Sequence, residues 1–217
     1  MNIYKSKSEI ATHLCRRIEE LESAHFQKYP NKPFVVAIAG GSLPSMLEAL
    51  NPNAPEKWIV LLADERIVPI NHQDSNGKLL LDHMSMIHKE NIITIDASLE
   101  PEACALDYES KIKPYLPLNV ALLGMGPDGH ICSLFPNHPL LTSKKIVDFI
   151  VDSPKPPPKR ITLTLPVLNN AENRMMVATG IAKQSAVQGG IAKDMSLPVS
   201  HLKDLVWYLD TEAAIKK

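Results

Sequence analysis

The segment Gly124-Met125-Gly126-Pro127-Asp128-Gly129-His130 sets an acid two residues before a histidine, inside a glycine-rich stretch. Histidine titrates near neutrality, so it can take a proton from water and return it to a leaving oxygen. A carboxylate beside it can fix the ring, and both Asp128 and Asp64 qualify by type. Gly40-Gly41-Ser42 lets backbone N–H groups approach an anion, phosphate above all, although a tight turn with a serine cap is the ordinary alternative. Asp64-Glu65-Arg66 offers Arg66 as a fork for phosphate and Asp64 as an acceptor for hydroxyls, against the plain reading of a surface ion cluster. Arg160 and Lys183 read alone as solvated surface cations, but with Arg66 they make a cationic pocket in a chain of formal net charge −1. Together these types suit proton transfer on a small phosphorylated molecule.

Other chemistries fit less well. Gly124, Gly126 and Gly129 spell Gly-x-Gly-x-x-Gly after a strand, with Asp148 downstream, as a dinucleotide loop would. Such a loop must open a long helix, and Pro136 and Pro139 interrupt that region. Ser133 lacks the flanking glycines of a nucleophile elbow, and Cys132 sits among apolar neighbours as an inert thiol would. No histidine, cysteine and acid spacing resembles a metal site. Neither a cofactor nor a metal is expected.

The elements that must position these residues follow from hydrophobic periodicity. Ser6 and Glu9 read as a capping box opening a helix through Ile10, Leu14, Ile18 and Leu21, closed before Pro30. Continuous apolar runs at 34–39, 58–62 and 118–123 predict strands buried on both faces, with a shorter strand at 92–95. Further strands are expected at 146–151, 161–165, 175–179 and 206–209. Helices are expected from Pro44, over about 75–84, over about 101–111, and from near Ala182. The proline-rich stretch 154–159 reads as a stiff, extended surface connector. Strands alternating with helices imply one α/β domain over residues 1–217, a mainly parallel, Rossmann-like twisted sheet flanked by helices on both faces. In such sheets ligands bind beyond the carboxyl ends of the strands, where the polar segments 40–42, 64–66 and 124–130 should converge.

Composition narrows the class further. The near-neutral charge excludes a general attraction to nucleic acid or an acidic membrane. The three cysteines show no Cys-x-x-Cys pair, and no signal peptide or apolar run long enough to span a bilayer is evident. A soluble cytoplasmic protein is expected, a monomer or a weakly associated homodimer, with a small-molecule partner only.

Beyond these single segments, the ordered set resembles the family of 6-phosphogluconolactonases and glucosamine-6-phosphate deaminases nearly end to end. The resemblance rests on Gly40-Gly41-Ser42, Asp64-Glu65-Arg66 with Val68-Pro69, Asp74-Ser75-Asn76, the 124–130 segment, Ser133-Leu134-Phe135-Pro136, Arg160-Ile161-Thr162 and Gly180-Ile181-Ala182-Lys183. Deaminases carry an Asn-Glu-Pro type sequence after the histidine, whereas no acid follows His130 before Asp148, which points to the lactonase branch. The resemblance implies a cofactor-free hydrolysis of 6-phospho-D-glucono-1,5-lactone in the oxidative pentose phosphate pathway. His130, Asp128 and Asp64 would then be the acid-base groups, with Gly40, Gly41, Ser42, Arg66, Asn76, Gly126, Arg160 and Lys183 around the substrate. An amino-sugar phosphate deaminase and a non-catalytic sugar-phosphate sensor are the alternatives. Two departures stand out: Gly77 replaces a common tyrosine, leaving a substrate contact there in doubt, and Cys132 replaces a usual alanine.

Overall fold

The computed structural model describes residues 1–214. In chain order its elements are β1 (Asn2–Tyr4), α1 (Lys7–Lys28), β2 (Phe34–Ile38), α2 (Leu43–Met46), β3 (Trp58–Leu62), β4 (Asp64–Arg66), α3 (Asn76–His83) and β5 (Ile92–Ile93). Then follow α4 (Pro101–Ile112), β6 (Val120–Gly124), β7 (Val147–Ile150), β8 (Arg160–Leu163), α5 (Leu165–Asn169), β9 (Asn173–Ala178), α6 (Gln184–Ile191) and β10 (Leu205–Asp210).

Seven strands form one parallel sheet in the order β1-β10-β9-β6-β2-β3-β5. The continuous apolar runs occupy its centre: every residue of β2 is buried, and so are Val120 to Leu123 of β6. Helix α1 lays Ile10, Leu14 and Ile18 on the core. It starts at a capping box shifted by one residue, in which the Ser6 hydroxyl accepts the Glu9 N–H at 3.2 Å and Glu9 accepts the Lys5 N–H at 2.7 Å. The connection after β2 runs toward β3 and the one after β6 runs toward β9, in opposite directions along the sheet. That reversal opens a crevice at the carboxyl ends of β2 and β6, where open α/β sheets place ligands.

Three expectations need correction, and one strand was not expected. Asp64 to Arg66, expected only as a polar segment after a strand, is itself a strand, β4, which joins β8 and β7 in a separate three-stranded antiparallel sheet. Three charged residues show no apolar alternation, so periodicity could not reveal them. The helix from Pro44 is only a four-residue turn with Pro44 at its second position, and Leu47 and Leu50 continue as i+3 turns. The strand expected to reach Leu165 stops at Leu163, because Leu165-Pro166 opens α5. β1 went unforeseen, being a three-residue edge strand with Ile3 half exposed.

Candidate active site

Segments 40–42 and 124–130 leave the sheet side by side and line one cavity of about 150 Å³. The 124–130 segment is a closed turn: Gly126 N–H donates to the His130 carbonyl at 2.9 Å, and Gly129 N–H to the Gly126 carbonyl at 3.0 Å. It folds His130 back over Gly126. A Cβ at position 126 would fall 2.1 Å from His130 Cε1 and 2.6 Å from Asp128 Oδ1, so any larger residue must displace the imidazole from this place. The histidine ring also rests on Phe135, with centroids 4.9 Å apart.

His130 Nδ1 lies 2.6 Å from Asp128 Oδ1. Burial holds the imidazole below its ordinary value, against the opposite pull of the Asp128 carboxylate. Burial pushes Asp128 up, but hydrogen bonds from Lys155 and His130 outweigh it and leave that carboxyl below its ordinary value. Near neutrality this is a neutral imidazole beside an ionised acceptor. The ring proton therefore sits on Nδ1, and Nε2 keeps a free lone pair, the arrangement of a general base.

Asp64 does not share the task of orienting His130. It lines the cavity but is 5% exposed, and its oxygens accept from Ser133 Oγ at 2.7 Å and from Asn76 Nδ2 at 3.3 Å. Asn76 also donates to the Asp64 carbonyl at 2.9 Å, and its amide oxygen presses so closely on Gly40 that a Cβ there would sit 1.8 Å away. Ser133 is fully buried, which removes it as a nucleophile. Cys132 is buried too, and burial pushes its thiol well up.

Behind Asp64 stands Glu65, to which residue type and spacing alone assign no role. It is 1% exposed and accepts from Arg66 N (2.7 Å), Asn76 N (2.8 Å), Gly77 N (2.7 Å) and Ser75 Oγ (3.0 Å). Burial raises its pKa, and the four donors hold it back. This hub docks the start of α3 onto β4 and so fixes Asn76. At Gly77 a Cβ would meet Glu65 Oε2 at 3.2 Å and Ile70 Cδ1 at 2.8 Å, so a larger residue there requires the half-exposed Ile70 side chain to turn aside.

The cations divide. Arg66 and Lys183 line the cavity. Arg66 is steadied by a 2.9 Å bond from Nη1 to the Asp74 carbonyl, while its buried Nε has no protein partner. Lys183 follows β9 in a turn tied down by Gly180 N–H, which donates to both oxygens of Asp210 at 3.0 and 2.9 Å. Burial and the neighbouring Lys7 lower its pKa, and Asp210 opposes them.

Arg160, expected in the pocket, is not among its lining residues. Antiparallel pairing sets it opposite Arg66, where its guanidinium is buried and donates to the carbonyls of Pro157, Lys155 and Pro156. The helix after Ser42 has only four residues and so little dipole to offer an anion, and the Ser42 hydroxyl does not cap it. Gly40, Gly41 and Ser42 line the cavity all the same. Among the described residues, no group of three or more metal-ligating side chains is arranged to hold an ion, and no helix is long and apolar enough to cross a membrane.

Comparison with known proteins places the chain in a family. Residues 5–207 match the sequence model of the family described as glucosamine-6-phosphate isomerases/6-phosphogluconolactonase. The chain is 38% identical to 6-phosphogluconolactonase of Homo sapiens over 239 residues, covering 99% of this chain and 92% of the human one. It is 35% identical over 251 residues to probable 6-phosphogluconolactonase 1 of Arabidopsis thaliana, covering 100% and 92%. Among solved structures, 6-phosphogluconolactonase from Leishmania guyanensis superposes with a TM-score of 0.85 at 25% identity, covering 98% of this chain and 96% of that one. The Trypanosoma brucei enzyme of that name gives 0.81 at 26%, with the same coverage.

Proposed function

The chain belongs to the glucosamine-6-phosphate isomerase/6-phosphogluconolactonase family, and on that premise we propose that His130 is the general base with which it hydrolyses 6-phospho-D-glucono-1,5-lactone to 6-phospho-D-gluconate. The observation that carries the reading is the His130–Asp128 pair, 2.6 Å apart and partly open to solvent, at the rim of a cavity lined by His130 together with Arg66 and Lys183.

Arg66 and Lys183 hold the phosphate and thereby set the ring against His130, so that hydrolysis proceeds within one bound complex. His130 Nε2 takes a proton from water as its oxygen bonds to the lactone carbonyl carbon. The oxyanion that forms needs N–H donors. Those of Gly126 and Gly129 are engaged within their own turn, which leaves the Gly40-Gly41-Ser42 backbone to supply them. The bond from carbon to ring oxygen then breaks, and His130 passes its proton to that oxygen to make a hydroxyl. Asp128 steadies the imidazolium between the two transfers. Asp64 and Asn76 shape the floor of the cavity.

The test is a coupled assay on freshly prepared lactone, corrected for spontaneous hydrolysis, with the unphosphorylated lactone as control. Fast turnover of the phosphorylated lactone alone is expected. Equal rates on both lactones would remove the phosphate anchor, and no enzymatic rate on either would overturn the reading.

A further inference from the structure

The stretch 154–159 is not the extended connector its prolines suggest. It folds back on itself: Ser153 N–H reaches the Pro158 carbonyl at 3.1 Å, and Ser153 Oγ accepts the Lys155 N–H at 3.3 Å and donates to the Lys155 carbonyl at 2.9 Å. From below, Arg160 donates to the carbonyls of Lys155 (2.9 Å), Pro156 (3.0 Å) and Pro157 (2.9 Å). Burying a guanidinium is costly unless its donors are satisfied, so this clamp determines where the loop lies. It delivers the Lys155 ammonium to 2.9 Å from Asp128 Oδ1 and 3.4 Å from His130 Nδ1, the same carboxylate oxygen that the imidazole uses.

We propose that Lys155 is a positioning residue of the dyad: its ammonium shares the Asp128 oxygen with His130 and lets that carboxylate orient the ring without trapping it as an imidazolium. The proposal rests on His130 being the base. A carboxylate 2.6 Å from a histidine favours the protonated ring, which cannot accept a proton from water. A cation on the same oxygen opposes that preference while leaving the hydrogen bond in place. An ordinary surface ion pair contributes little because two flexible chains must be ordered to make it. Here the backbone of Lys155 is already ordered by Arg160 and Ser153. The charges facing His130 are Asp128 on its own turn, Lys155 on this loop and Asp64 on β4, with Arg66 and Lys183 lining the same cavity. Of these, Lys155 and Asp128 touch His130 directly.

The experiment compares wild type, Lys155→Met and Lys155→Arg as full chains, by pH profiles of kcat/KM and by NMR titration of the His130 ring, its signal identified by loss in His130→Gln. In Lys155→Met, kcat/KM should fall about fivefold at pH 6 and little at pH 8, and the His130 titration should move to higher pH in parallel. Lys155→Arg should restore both. A loss in Lys155→Met that is equal at all pH values, or an unmoved His130 titration, would overturn the proposal. Should the wild type leave the lactone untouched, the functional reading fails while the titration still decides the role of Lys155.

Discussion

Two carboxylates next to the cavity are used in opposite ways. Glu65 is 1% exposed and takes four donors, all of them neutral groups of the chain. The Asp128 side chain is 38% exposed and takes two side chains that carry or can gain a charge, His130 and Lys155. The first arrangement leaves nothing free to move and locks β4 to α3. The second leaves a proton free to move, because its partners stabilise the ionised acid whether or not the ring is charged. Saturation by neutral donors holds geometry, and partial exposure among ionisable groups permits turnover.

That contrast can be broken at either end. The largest expected effect is His130→Ala, which should lower kcat by about 10² to 10⁴ while binding of 6-phosphogluconate survives. Near-normal turnover in that variant would take His130 out of the reaction. Next is Glu65→Ala, which strands several buried donors and should cost about 3 kcal/mol of stability, a drop in Tm of roughly 6 to 12 °C. An unchanged melting curve would mean that Glu65 is no hub. Gly126→Ala should follow, with kcat down about 10²-fold and Tm nearly kept, since the new Cβ pushes the ring aside without unfolding its turn. A crystal structure with His130 unmoved in that variant would contradict the steric account. The smallest is Arg66→Ala, expected to raise KM about tenfold with kcat nearly unchanged, as a remote anchor contributes binding more than bond-making. A fall in kcat at constant KM would instead place Arg66 against the reacting carbon.

Much of this was legible in residue order. The buried runs of β2, β3 and β6 announced a parallel sheet because only strands covered on both faces are apolar throughout. Gly126, Asp128 and His130 lie within five residues of one another, so their contact is a property of one turn. Arg160 is expected in the pocket because its type suits a phosphate anchor, but the register of β8 against β4 turns it under a loop, and residue type carries no sign of that register. Glu65 was overlooked because a charged triplet carries no sign that its middle member faces inward. The contact of Lys155 with Asp128 spans 27 residues, and nothing in either segment points to the other.

By itself the sequence determined the sheet and the glycine-rich segment that ends in the histidine, because each depends on covalent spacing or on hydrophobic period. Only the tertiary structure decided which aspartate meets His130, which arginine reaches the cavity, and that a lysine from a proline-rich loop joins the pair. Those choices depend on strand register and loop closure, and hence on which distant groups can satisfy one another once water has been excluded.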